Sequence, residues 1–167
     1  MRQDLLTQIE ALKASRQAHA KIAFEVLKAA EQKVYAVDFV ALGVLHRSIA
    51  LIDGFTRMVE EKNALCANAL LRLQLDNIIR FYAFWLVDDP DSLVLKLLEG
   101  GQLNKEKSKN GRLLTDAYLV SEAEKLYPWL KSVYEETSGF IHLSDTHLYA
   151  CWKALDNGQL SMEIGMG

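Results

Sequence analysis

The 167 residues carry a formal charge of −3 and an isoelectric point near 5.8, which suits one domain with a sizeable core and excludes a chain-wide attraction to phosphate backbones. Half of the residues are apolar and a quarter are charged, a balance that excludes long disordered or low-complexity tracts. Cys66 and Cys151 stand apart in apolar surroundings with no Cys-x-x-Cys spacing, so they are expected as buried free thiols and not as a zinc knuckle or a disulfide framework.

Met1-Arg2-Gln3-Asp4 runs into an amphipathic pattern unlike a signal peptide, and no apolar run approaches the roughly 20 residues that span a bilayer. A cytoplasmic location without membrane insertion is expected. Leu5, Ile9, Leu12, Arg16, His19, Ala23, Val26 and Ala30 alternate spacings of four and three, which predicts a first helix of roughly 45 Å. Arg16 and His19 on that seam read as register or oligomer contacts. Lys33 to Ala36 is a turn, after which Asp38 is expected to cap a second helix carrying Leu42, Leu45, Ile49, Ile52, Phe55 and Val59.

Asn63 is expected to cap a third helix reaching Val87. From Leu70 to Leu86 it is apolar almost all round, as befits the most enclosed member of a bundle. Asp89-Pro90 starts a short fourth helix and Gly100-Gly101 stops it. Gln102 to Arg112 is polar and basic and reads as the main exposed loop, with a turn at Asn110-Gly111. Ser121 and Glu124 suggest a capping box, and Pro128 a break near Tyr127. A last long helix is expected through Leu130, Tyr134, Thr137, Ile141, Ser144, Leu148, Cys151 and Leu155, ended by Asp156-Asn157-Gly158. Gln159 to Gly167 alternates as a short strand without an obvious local partner, framing the bundle or pairing between chains. The predicted fold is all-α: one domain, 1–167, an antiparallel bundle of four to five main helices, with a short helix after the central one and a short extended C-terminal segment.

Arg72, Asp76, Asn77 and Arg80 interrupt the apolar third helix. Arg72 and Asp76 lie four apart and are expected to face each other, with Arg80 one turn further on. Charges enclosed by a bundle need partners or a solvent-filled groove, so the stripe is either a structural network or a binding site. Glu135, Ser138, His142, Asp145, Tyr149 and Trp152 form a second polar stripe at helical spacing. His142 there can accept a proton, ligate a metal or hydrogen-bond Asp145. The ligand-binding candidates are Arg72, Asp76, Tyr134, Ser138 and His142, and any catalysis would fall to His142 with Arg72 or Arg80.

His142 and His147 are five apart and no Glu-x-x-His occurs, so no metal site is expected. Nucleophile-elbow, phosphate-loop and dinucleotide signatures are absent, and no cofactor is expected. Lys105, Lys107, Lys109 and Arg112 can meet phosphate oxygens, although such a loop also serves solubility. Trp85, Trp129 and Trp152, with Phe81, Tyr82 and Phe84, are expected to be mostly core.

Leu71-Arg72-Leu73-Gln74-Leu75-Asp76, taken with Tyr134-Glu135-Glu136-Thr137-Ser138-Gly139-Phe140-Ile141-His142, resembles bacterial all-helical proteins related to the HEPN superfamily, over residues 38 to 155. The resemblance implies a helical bundle, frequent dimerisation, and in many members RNA cleavage linked to toxin or phage-defence systems. Catalytic members carry an Arg a few positions before the His, where residues 135 to 138 here are Glu, Glu, Thr and Ser. Arg72 or Arg80 would have to supply that cation from the neighbouring helix. Three readings follow. One is a non-enzymatic, homodimeric module binding a small molecule or protein partner in its polar groove. The second is a HEPN-like, metal-independent ribonuclease, and the third a purely structural homodimerisation module.

Overall fold

A computed structural model describes residues 3–29 and 33–139 and the backbone of two strands, Trp152–Ala154 and Leu160–Met162. The fold is all-α. Its helices are α1 (Gln3–Ala29), α2 (Ala36–Glu60), α3 (Ala64–Tyr82), α4 (Pro90–Leu98), α5 (Asp116–Glu124) and α6 (Leu130–Ser138), with 3₁₀ turns at Ala83–Trp85 and Leu103–Lys105. Among the described residues, three helices are long and three are short.

Local chemistry sets most of the boundaries. Asn63 Oδ1 accepts from the Cys66 amide at 3.0 Å and Asp89 Oδ1 from the Ser92 amide at 3.0 Å, so both caps form where the sequence places them. Asp38 caps from one turn inside α2: its carboxylate accepts from the Tyr35 amide at 2.9 Å, while the Tyr35 carbonyl accepts from the Asp38 amide. Gly100, at φ +94°, closes α4, with the Gly101 amide bonded to the Lys96 carbonyl and the Gly100 amide to Leu97. A Cβ on Gly101 would stand 2.7 Å from that Lys96 oxygen.

Thr115, not Ser121, caps α5 by accepting from the Tyr118 amide. Ser121 lies inside the helix and donates to the Tyr118 carbonyl at 2.8 Å, a back-bond that satisfies its hydroxyl without starting a helix. The basic segment from Gln102 to Arg112 is mostly exposed, as expected, and is also pinned at its backbone. Ser108 bonds to Arg112, Lys109 to Leu86 and Leu114 to Glu106, and Leu103, Ser108 and Leu114 are buried.

α2 packs on α1, α3 and α4, and α3 also packs on α5 and α6. The core gathers around α3: Leu75, Ile79 and Ala83 meet Leu114, Leu119 and Leu130, all buried. α1 runs along α2, tied by Lys13 to Glu60 at 2.6 Å and Arg16 to Asp53 at 3.0 Å. Ile9 is its one buried residue among those described. Val37 donates its amide to Asp91 at 2.8 Å, joining the start of α2 to α4.

Three expectations about burial fail. Cys66 is exposed, because it sits in the first turn of α3, where the helix emerges from the core. Trp85 and Trp129 are 59% and 52% exposed, because the first follows the end of α3 and the second precedes the start of α6.

The C-terminal expectation is also corrected. Trp152–Ala154, expected as helix, is a strand, β1, pairing antiparallel with β2, Leu160–Met162. The partner of the predicted strand is therefore local, with Trp152 opposite Met162 and Ala154 opposite Leu160. Ile141, His142, Ser144, Asp145, His147, Leu148, Tyr149, Cys151 and Ile164 lie outside the described residues.

Candidate functional site

The polar stripe of α3 divides between two neighbours. Arg80 Nε donates to both Asp76 oxygens, at 2.9 and 3.0 Å, and its Nη2 reaches Asp116 at the start of α5, at 3.3 Å. Asp76 thus pairs with Arg80, not with Arg72 as the spacing suggested. Arg72 lays its guanidinium over the Tyr134 ring of α6, 3.6 Å from the centroid, a cation–π stack that fixes its direction. Its Nε is buried without a hydrogen-bond partner among the described residues. Ser138 donates to the Tyr134 carbonyl at 2.6 Å, so its proton is committed within its own helix.

Electrostatics follow this layout. Partial burial disfavours the Arg80 charge, but the hydrogen bond and charge of Asp76, with Asp116 behind them, outweigh it and leave its pKa raised. Burial raises the Tyr134 phenol above the ordinary tyrosine value; Arg72 opposes the rise, and Asp116 and Asp76 add to it. A raised folded-state value favours the neutral phenol, so its stabilisation is present below the unfolded value and is lost as pH climbs through the folded one. Chemical denaturation of wild type and Tyr134→Phe between about pH 9 and pH 11.5 should show a shallower alkaline loss of stability in the variant; equal slopes would refute the assignment.

Arg80 also opens onto a cavity of about 650 Å³ between α2, α3 and the chain from Gly101 to Asp116. Val40, Val44, Phe81, Phe84, Leu97 and Leu103 give it an apolar floor, while Arg47, Asn77, Gln102, Asn104, Thr115 and Asp116 supply polar groups. Asn77 is buried, and its amide nitrogen donates to the Val44 carbonyl at 3.1 Å and to Ser48 Oγ at 3.0 Å. Arg47 forms no ion pair among the described residues.

The structure therefore brings Arg72 to Tyr134 and Asp76 to Arg80, and places Arg80 and Asn77 on the cavity wall. Arg72, Asp76, Tyr134 and Ser138 do not line that cavity. Sequence reasoning missed Arg47 and Asp116. Arg47 was legible as a cation breaking the apolar face of α2, and Asp116 as an acid in a first helical turn. Lys105, Lys107 and Lys109 are exposed, but Arg112 covers the buried Tyr118 ring at 4.4 Å and Glu106 pairs with Lys96 at 3.1 Å. No group of three His, Cys, Asp or Glu side chains among the described residues converges as a metal site, and no described helix is long and apolar enough to cross a membrane.

Comparison with protein-family models, curated proteins and solved structures gave no match for this chain.

Proposed function

We propose that the chain is a non-enzymatic binding module whose cavity beside Arg80 takes a small organic anion with an apolar body. The observation that carries this reading is Arg47, a cation without an ion-pair partner among the described residues, at the edge of an apolar-floored cavity of ligand size. The lining holds two guanidiniums and one carboxylate, and with Asp76 bound to Arg80 the charges balance, which suits a monoanion better than a phosphate dianion. Arg80 spends its charge on Asp76 and Asp116; Arg47 is the group left to fork a carboxylate.

Isothermal titration with 3-phenylpropionate and with 3-phenylpropanamide tests this. The acid should bind at least about tenfold more tightly, since a charge-assisted pair is worth roughly 1.5 kcal/mol, and Arg47→Ala should remove that preference. Equal affinities, or no heat from either, would end the proposal.

The ribonuclease reading needs Arg72 or Arg80 free to meet a phosphodiester. Arg72 stacks on Tyr134 and Arg80 faces two carboxylates, which favours binding over cleavage. Incubation with mixed RNA separates the two: cleavage lost in His142→Ala would replace the binding module with the enzyme. The reading includes a homodimer in the cytoplasm. The exposed apolar side chains of α1, Ile22, Phe24 and Leu27, support a second copy, and light scattering after size exclusion measures it directly.

A further inference from the structure

A second cavity, of about 660 Å³, lies on another side of the α2–α3 pair, closed by α1 and the end of α5. Ile22, Val26, Leu45, Ile78, Trp85 and Leu126 make it mainly apolar, and its polar groups are His19, Ser48, Gln74 and the phenols of Tyr82 and Tyr127.

Gln74 and Ser48 belong to one hydrogen-bond network with Asn77. Gln74 Nε2 donates to Ser48 Oγ at 3.1 Å, and Asn77 Nδ2 donates to the same oxygen at 3.0 Å. Gln74 Oε1 is then buried with no hydrogen-bond partner among the described residues. His19 places Nδ1 2.8 Å from the Ser15 carbonyl. Since a carbonyl can only accept, Nδ1 is the donor of that bond. A buried amide oxygen without a donor is costly in an apolar wall, and a ligand bearing an O–H or N–H relieves it.

We propose that this groove is a separate small-molecule site for a neutral, largely apolar molecule carrying a hydrogen-bond donor that Gln74 Oε1 receives. The volume is that of a small-molecule pocket. An amphipathic helix is a poorer occupant, because its backbone donors are already bonded and its apolar face would leave the Gln74 oxygen unmet.

The test titrates the full chain with 1-naphthol and with 1-methoxynaphthalene, in which a methyl group replaces the donated proton. Naphthol should bind about tenfold more tightly, and Gln74→Leu should reduce the difference to about twofold or less while leaving the ether's affinity near its wild-type value. Equal affinity of the two probes for wild type, or binding of neither, overturns the proposal without needing the variant to fold. An affinity for naphthol that falls as protein concentration rises assigns the groove to a second copy of the chain and overturns it as well.

Discussion

Ile79→Ala is expected to lower the free energy of unfolding by about 3 kcal/mol. Ile79 is fully buried in the last turn of α3, in the same cluster as Leu75, Leu119 and Leu130. Truncation removes the transfer free energy of the lost carbons and leaves a void in a close-packed interior. Helical neighbours on α2, α5 and α6 restrain collapse into the gap, which keeps the cost well above the transfer term alone. For a chain of this size the melting temperature should fall by roughly 6–12 °C. Leu73, on the same helix but 37% exposed, is the control: Leu73→Ala should cost about 1 kcal/mol or less. Urea denaturation of the two variants decides the matter, and similar losses for both would mean that the core does not centre on the buried face of α3.

Where the sequence was legible, the determinant was local. Asn63, Asp89-Pro90 and Gly100-Gly101 each act on backbone groups within a few residues, so their pattern carries its own structural consequence. Asp38 shows the margin of such reasoning: an acid near a helix start serves at the cap or one turn inside it, and the sequence does not choose between them. The pairing of Asp76 was less legible still. Arg72 and Arg80 both stand four residues from it, one on each side, and the choice is made by groups remote in sequence: Tyr134 draws Arg72 away, and Asp116 brings a second carboxylate to Arg80.

The exposure of the basic segment was legible in its composition, but its backbone packing through Ser108, Lys109 and Leu114 was not, because composition describes side chains. The C-terminal strand pair was concealed by a heptad-like spacing that continues to Leu155, although β1 and β2 need only three residues each. Both cavities escaped detection for one reason. They lie where side chains from three or more elements fail to fill the space between them, and no single periodicity encodes that.

Asn77→Ala is expected to cost about 2 kcal/mol, near what losing a buried pair of hydrogen bonds and leaving an acceptor unmet implies. Asn77 is 4% exposed and ties α3 to α2 through both the Val44 carbonyl and Ser48 Oγ. Ser48→Ala removes one of those partners, so the two substitutions should be non-additive by about 1 kcal/mol in a double-mutant cycle; strict additivity would dissolve the network. The tie also bears on binding. Val44 and Asn77 each stand one helical turn before the guanidinium at the cavity, Arg47 on α2 and Arg80 on α3, so the bond between them sets the register at which the two cations face the same space. At temperatures where Asn77→Ala is still folded, its affinity for 3-phenylpropionate should therefore fall along with its stability, whereas Leu73→Ala should leave that affinity unchanged.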